Sequence, residues 1–96
     1  MPLAFEYDPR KAATNLKKHG VSLTEAMTVF NDPFAQTFPD EFHSEQEDRW
    51  ITLGLSSKAR LLFVSHLEID GLIRLTGARN ATGQEHDDYQ ELKARF

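Results

Sequence analysis

Residues 49–78 read RWITLGLSSKARLLFVSHLEIDGLIRLTGA and carry the strongest strand signals in the chain. They contain three runs rich in aliphatic, aromatic and β-branched residues, at 49–55, 60–67 and 72–78, which are typical of strands. Asp70-Gly71 precedes the third run and is a strong signal for a two-residue hairpin turn, while residues 56–59 join the first two runs. The stretch therefore predicts an antiparallel meander of three strands.

The turns also predict which side chains share a face of this meander. The two-residue turn places His66 opposite Leu75 and Val64 opposite Gly77 on one mostly aliphatic face. If residues 56–59 form the other loop, Ile51 joins that face, which we expect to lie beneath helices. A one-residue slip in either hairpin would exchange the two faces. The opposite, partly open face then carries Trp50, Thr52, Leu61, Phe63, Ser65, Leu67, Arg74, Thr76 and Ala78.

Two helices are predicted before the meander. Asp8-Pro9 supplies an N-cap and a proline at the first helical position, so a helix should run from residue 9 to about residue 18 and end at Gly20. Ser22 with Glu25 three residues later forms a capping box, so a second helix should run to about residue 30. Short strands are predicted at 4–7 and 35–38.

One more helix is predicted after the meander. Thr82 with Glu85 forms a second capping box, which predicts a helix over about 83–94 with Tyr89 and Leu92 as its chief apolar residues. The order of elements predicts a single α+β domain over residues 1–96. We expect an antiparallel sheet with the two N-terminal helices and the C-terminal helix packed mainly on one face.

Composition narrows the classes of function. The 96 residues include no cysteine, which excludes disulfides and cysteine nucleophiles. Neither a signal peptide nor an apolar run of membrane-spanning length is present, so we expect a soluble, cytoplasmic protein with no membrane partner. The net charge of −4 counts against RNA binding. However, the acidic residues cluster at 40–48 and 85–91, so a local basic face can survive.

Two residues of the meander invite a chemical interpretation. Arg74 interrupts an apolar strand and must reach water, a carboxylate or a phosphate, and a structural ion pair is the simpler alternative. His66 is a candidate proton donor, although such a histidine is more often a core residue. His43 with Glu45 and Glu47 lacks the spacing of a known metal site, so we expect no metal.

The chain as a whole resembles the BrnT family. Its first half contains Phe5-Glu6-Tyr7-Asp8-Pro9, Asn15-Leu16-Lys17-Lys18-His19-Gly20-Val21-Ser22, Glu25-Ala26 and Val29-Phe30-Asn31-Asp32-Pro33. Its second half contains Glu47-Asp48-Arg49-Trp50, Leu53-Gly54, Ile73-Arg74, Gly77-Ala78-Arg79, Ala81-Thr82, Glu85 and Tyr89. Each fragment is short, but the series in this order and spacing is specific.

The resemblance implies a RelE-like fold and the toxin of a type II toxin–antitoxin pair. Such a toxin would be a metal-independent, cofactor-free endoribonuclease that inhibits translation and is neutralised by a BrnA-type ribbon–helix–helix antitoxin. RNA, alone or at the ribosome, would be its substrate, and a second copy of the chain is a further candidate partner.

Positions that match the family suggest roles in RNA cleavage. Arg74 and Arg79 would stabilise the phosphate, with Arg60 as a further contact, and His66 or Glu68 would be the general base or acid. Trp50, Tyr89 and Lys58 would contact or support the substrate. The predicted faces separate Arg74 from His66, which argues against one site that uses both.

The sequence also departs from the family. Asn80, Gly83 and Gln84 stand where other members usually carry basic residues, so Arg79 is the single cation of residues 77–85. The alternative is therefore a weak or inactive relative that binds an antitoxin and acts as a co-repressor. A basic cleft around Arg79 would favour cleavage, and an acidic surround would favour partner binding.

Overall fold

The computed structural model describes residues 4–41 and 48–95. In chain order the elements are β1 (Ala4–Tyr7), α1 (Pro9–His19), α2 (Leu23–Met27), a 3₁₀ turn (Thr28–Asn31), β2 (Gln36–Pro39), β3 (Arg49–Leu55), β4 (Leu61–Ile69), β5 (Leu72–Asn80) and α3 (Gly83–Lys93). This confirms the predicted α+β fold with three helices. No helix in the described ranges is long and apolar enough to cross a membrane.

One five-stranded sheet organises these elements, with the strand order β1-β5-β4-β3-β2. The meander of β3, β4 and β5 is antiparallel as predicted, and β2 pairs antiparallel with β3. At the other edge, however, β1 runs parallel to β5, so the sheet as a whole is mixed.

The predicted helix ends are largely confirmed. Asp8 caps α1 by accepting a hydrogen bond from the Arg10 N–H, and Gly20 ends α1 in the left-handed region at φ 69°. Thr82 and Glu85 form the complete capping box of α3. Ser22 caps α2 through the Glu25 N–H, but the Glu25 carboxylate does not return to Ser22 and binds Ser56 and Arg60 instead.

The predicted pairing of β3 with β4 is wrong by one residue. Ser56 N–H donates to Arg60 O at 2.8 Å, so the loop has three residues, 57–59, and Ala59 closes it at φ 58°. Leu55 consequently pairs with Leu61, and Ile51 pairs with Ser65. Because side chains alternate along a strand, this shift moves Ile51 to the face opposite Val64 and moves Trp50 and Thr52 to the face of His66.

A β-bulge changes the second hairpin as well. His66 pairs with Leu75 as predicted, but the register shifts between Ser65 and His66. Val64 therefore pairs with Ala78 and not with Gly77. The extra residue, Thr76, donates its hydroxyl to Ser65 Oγ at 2.9 Å. The bulge turns Ala78 into the core and leaves the next residue along β5 on the opposite face.

The two faces of the sheet have different covers. We call the side that carries Leu62, Val64 and Leu75 the covered face, because the residues of α2 and the 3₁₀ turn pack on it in the larger core cluster. The other side, which carries Ile51, Phe63 and Arg79, is the open face. α3 departs from the expectation of helices mainly on one face, since its Tyr89 packs with Leu53 and Leu61 of the open side.

α1 lies along the edge of β5 beyond the point where β1 ends. There Asn15 takes the place of a neighbouring strand: its Oδ1 accepts from the Ala78 N–H at 3.0 Å, and its Nδ2 donates to Ala78 O at 2.8 Å. The same Nδ2 also donates to Val21 O at 2.9 Å. This arrangement fixes α1 beside the open face.

Candidate nucleic-acid interface

A cleft of about 550 Å³ lies between α1 and the open face of the sheet. Its walls combine three groups of residues: α1 side chains, strand side chains and Asp40. They are Arg10, Lys11, Thr14, Asn15, Lys18, His19, Asp40, Arg49, Ile51, Phe63, Ser65, Thr76, Gly77, Ala78 and Arg79.

The cleft is strongly cationic in an acidic protein. Among the lining residues that the structure describes, five Lys or Arg side chains face one carboxylate, a formal charge of +4, whereas the whole chain carries −4. The cations are Arg10, Lys11, Lys18, Arg49 and Arg79. Positive charge concentrated in a concave surface attracts anions, and phosphate groups are the anions that such a site binds best through Lys and Arg.

The spacing of residues along α1 explains how one helix supplies three of these cations. Arg10, Thr14 and Lys18 are four residues apart, and Lys11 is seven residues before Lys18, so all four side chains share one helix face. The Asn15 hydrogen bonds to β5 point this face at the sheet. Lys17 belongs to the same helix but does not line the cleft.

Arg79 is held in the cleft from two sides. Its guanidinium lies over the Phe63 ring, 3.9 Å from the ring centroid, and it donates to the Glu85 carboxylate at 2.8 and 3.0 Å. The hydrogen bond from Arg79 lowers the pKa of Glu85. Arg79 is therefore preorganised, with part of its charge met by Glu85.

Neutral and titratable groups complete the cleft. The hydroxyls of Thr14, Ser65 and Thr76 line it, and Ser65 also donates to Gly77 O at 3.3 Å. His19, at the last turn of α1, is the imidazole among the described lining residues. Hydroxyls bind phosphate oxygens, and an imidazole can carry a proton to or from a reacting group.

The structure places Arg74 outside the cleft. Its guanidinium donates to the carboxylate of Glu6 at 2.9 Å, across the parallel pair of β1 and β5. Both side chains are more than two-fifths exposed, so this is a surface ion pair of small energetic value. The simpler alternative considered for Arg74, a structural ion pair, describes its position.

His66 is fully buried on the covered face. Its Nε2 lies 2.8 Å from Thr52 Oγ1, its ring packs against Phe30, and burial lowers its pKa to about 4. Glu68 lies 3.7 Å from His66 Nδ1, and Trp50 pairs with His66 across β3 and β4. None of these three residues lines the cleft.

Arg60 and Lys58 belong to a different cluster, centred on Glu25. The Glu25 carboxylate is buried and accepts from Arg60 Nε at 2.9 Å and from the Ser56 hydroxyl at 2.7 Å, with Lys58 Nζ at 3.9 Å. The Arg60 hydrogen bond lowers the pKa of Glu25. Arg60 also donates to Gly20 O at 3.3 Å, so this cluster fastens the end of α1 to the β3–β4 loop.

Tyr89 is buried and anchors α3. Its hydroxyl donates to Asp32, whose carboxylate also accepts from the Leu55 N–H at 2.8 Å. Burial and the Asp32 hydrogen bond raise the pKa of Tyr89. Of the eight residues that the sequence suggested for the site, Arg79 alone lines the cleft.

The remaining cleft residues were missed at the sequence level, although one signal was available. The basic residues of α1 repeat at helical spacing, but none of them was among the residues that the family positions suggested for the site. Arg49 lines the cleft because the pairing of β3 with β4 is shifted by one residue from the predicted register. Within residues 4–41 and 48–95, no group of three or more His, Asp or Glu side chains could hold a metal ion. His43, Glu45 and Glu47 lie outside the described residues.

The fold and the cleft define a class of protein: a small α+β domain whose mixed sheet presents a cationic cleft beside its first helix. The family described as "Ribonuclease toxin, BrnT, of type II toxin-antitoxin system" matches residues 7–85. The chain therefore belongs to the BrnT family, which confirms the resemblance inferred from its motifs.

A solved structure supports the fold. The 1.1 Å crystal structure of the Brucella abortus ribonuclease toxin, BrnT, is similar with a TM-score of 0.66 and 19% sequence identity. The match covers 84% of this chain and 99% of that one. At this identity the likeness establishes a shared fold and not a shared activity. A comparison with curated proteins gives no match.

Proposed function

We propose that this protein is a metal-independent endoribonuclease, the toxin of a type II toxin–antitoxin pair, and that RNA binds in the cationic cleft. The observation that carries the proposal is the gathering of five Lys or Arg side chains in one cleft of a protein with net charge −4. These residues are scattered from position 10 to position 79, and the fold brings them together.

Binding would combine electrostatic attraction with stacking. Phosphates that replace their counterions with Lys and Arg give a salt-sensitive affinity that does not depend on sequence. Phe63 and the guanidinium of Arg79 form a flat pair on the floor of the cleft, and aromatic and guanidinium planes stack on unpaired bases. Single-stranded RNA is therefore the substrate form that fits this cleft best.

Cleavage would proceed by attack of the 2′-oxygen on the adjacent phosphorus. A base takes the 2′-hydroxyl proton, and the bond to the 5′-oxygen breaks as an acid protonates that oxygen, which leaves a 2′,3′-cyclic phosphate and a 5′-hydroxyl. Arg79 and Lys18 would stabilise the charge that builds on the phosphate. We assign proton transfer to His19, because it lines the cleft while His66 and Glu68 lie elsewhere.

The chemistry of the lining supports a reaction without a metal. Magnesium sites in nucleases gather several carboxylate oxygens, whereas the described lining residues include one carboxylate, Asp40, among cations and hydroxyls. Cations of the protein would then perform the charge stabilisation that a metal provides elsewhere.

Family membership favours an antitoxin partner, and we propose that it is a BrnA-type ribbon–helix–helix protein. RNA cleavage by the free toxin would inhibit translation, and the antitoxin would relieve the inhibition. The acidic residues of α3 do not line the cleft, and they suit a basic protein partner.

The proposal is tested by inducing the chain in bacteria and measuring growth and the integrity of cellular RNA. Lys18→Ala and Arg79→Ala are expected to restore growth and intact RNA, because both remove cations of the cleft. Lys17→Ala and Arg74→Ala are the matched controls, since they remove the same kinds of charge from α1 and β5 outside the cleft.

Each control gives the test a way to fail. If Lys17→Ala relieved toxicity to the same extent as Lys18→Ala, the toxicity would depend on the overall positive charge of α1 and not on the cleft. If the wild-type chain accumulated in folded form without arresting growth or cutting RNA, the alternative of an inactive, antitoxin-binding family member would replace the proposal.

A further inference from the structure

A second concave surface lies between α3 and the edge of the sheet formed by β2 and β3. It encloses about 360 Å³, and none of its described lining residues lines the cleft beside α1. Its described lining residues are Gln36, Phe38, Leu53, Glu85, Asp88, Glu91, Leu92 and Arg95. We call this surface the acidic groove.

The acidic groove combines apolar walls with an excess of negative charge. Phe38 and Leu92 are 39% and 37% exposed, although large apolar side chains gain free energy when buried. Among the described lining residues, three carboxylates and one guanidinium give the groove a formal charge of −2, whereas those of the cleft give +4. An RNA strand is repelled from such a surface, and a cationic ligand is attracted to it.

The existing partners of these groups leave them accessible. Glu91 pairs with Arg95 at 3.1 Å in an exposed ion pair, and Asp88 accepts from the neutral amide of Gln84 at 2.9 Å. Gln36 lines the groove, and its buried Nε2 finds no hydrogen-bond acceptor in the part of the chain that the structure describes. Buried amides are normally paired, so a carbonyl from a bound chain would satisfy this donor.

We propose that the acidic groove docks a basic amphipathic segment of the antitoxin. Apolar residues of that segment would cover Phe38 and Leu92, and its Lys or Arg residues would pair with Asp88 and Glu91. The identity of the partner as an antitoxin rests on the proposed function, while the chemistry of the segment rests on the groove alone.

Glu85 borders both surfaces, because it lines the groove and holds Arg79 of the cleft. A partner cation that approaches Glu85 would weaken its hold on Arg79, so an occupied groove would alter the cleft. For this reason the test leaves Glu85 unchanged and alters the far side of the groove.

The test is the affinity of the purified chain for a BrnA-type antitoxin, measured by isothermal titration calorimetry. Asp88→Lys combined with Glu91→Lys is expected to weaken binding by at least about tenfold, and Leu92→Ala by severalfold. Wild-type binding should also weaken as salt is raised. The matched control is Asp87→Lys, an exposed position of α3 outside the groove, which should change the affinity less than about twofold.

Several outcomes would overturn the docking proposal: no binding of the wild-type chain, equal affinity of the groove variants, or an equal loss with Asp87→Lys. RNA cleavage is measured with the same proteins in the absence of antitoxin, so that a failure of the docking proposal can be distinguished from a failure of the proposed function. Groove variants that cut RNA but bind the antitoxin normally would refute the docking site alone. Chains that bind as expected but never cut RNA would refute the nuclease and leave the docking site standing.

Discussion

Replacement of Asn15 by alanine is expected to destabilise the protein by about 3 kcal/mol, because this one amide joins three buried backbone groups. It bonds to both the N–H and the O of Ala78 and to Val21 O, at distances of 2.8–3.0 Å. Asn15 is only 8% exposed. Alanine would leave all three backbone groups without their present partner and would loosen the helix that carries the cleft's cations.

The magnitude follows from the number of bonds. A hydrogen bond in a folded protein contributes about 1 kcal/mol net, and three of them give about 3 kcal/mol. In a domain of this length each kcal/mol shifts the melting temperature by about 4–8 °C, so Asn15→Ala should lower Tm by roughly 12–24 °C. Asn15→Asp should cost at least as much near pH 7, since a carboxylate would face two carbonyl oxygens.

Thermal unfolding followed by circular dichroism, and urea unfolding followed by Trp50 fluorescence, measure this loss. Thr14→Ala is the matched control, because the Thr14 hydroxyl is exposed and donates to Arg10 O within the same helix. Its expected effect is within about 0.5 kcal/mol. An Asn15→Ala protein within about 1 kcal/mol of wild type would refute the reasoning that this amide replaces a strand at the edge of β5.

Two further predictions concern buried titratable groups. Glu25→Gln should cost about 2 kcal/mol at pH 7, because it removes a buried carboxylate that accepts from Arg60. Since the folded pKa of Glu25 lies below its unfolded value of 4.5, this stability is present above about pH 4.5 and is lost as pH falls through the folded value, so the deficit of the variant should shrink in acid. For His66, whose pKa falls from 6.5 to about 4 on folding, wild-type stability is full above pH 6.5 and should decline between pH 6.5 and 4 by on the order of 3 kcal/mol. The urea midpoint of the wild-type protein should fall across this pH range, and that of His66→Leu should not. If the two proteins showed the same dependence of the midpoint on pH, the buried neutral imidazole would be contradicted.

Local signals in the sequence predicted most of the fold. Asp8, Gly20 and the pair Thr82 and Glu85 act within a few residues of themselves, so the helix ends could be read without tertiary information. The hairpin at Asp70-Gly71 likewise set the pairing of His66 with Leu75. Such short-range preferences are the part of a fold that a single sequence expresses most directly.

Longer-range features were not predictable in the same way. A three-residue loop in place of a four-residue one reversed the faces of β3, and the bulge at Ser65 turned Ala78 inward. The spacing of Ser22 and Glu25 fits a capping box. The Glu25 carboxylate nevertheless accepts hydrogen bonds from Arg60 and Ser56, which lie thirty or more residues away along the chain. Each outcome depends on packing against elements that the local sequence does not specify.

The candidate site shows the same limit. Matching family positions one by one selected residues in β3, β4, β5, α3 and the β3–β4 connection, but the cleft forms where α1 meets the open face. The helical repeat of Arg10, Lys11 and Lys18 was visible in the sequence. What the sequence could not supply was the direction of that helix face, which the long-range contact of Asn15 with Ala78 determines.

The most direct test of the cleft is the affinity for a single-stranded RNA made uncleavable by 2′-O-methylation, measured by fluorescence anisotropy at several salt concentrations. Wild type is expected to bind with an affinity that falls as salt rises, and a Lys11→Ala, Lys18→Ala double variant should lower both the affinity and the salt slope, by about one to two released ions. Lys17→Ala should lower neither by a comparable amount. Salt-independent or absent binding by the wild-type protein, or equal losses in Lys17→Ala, would contradict the assignment of the cleft to RNA.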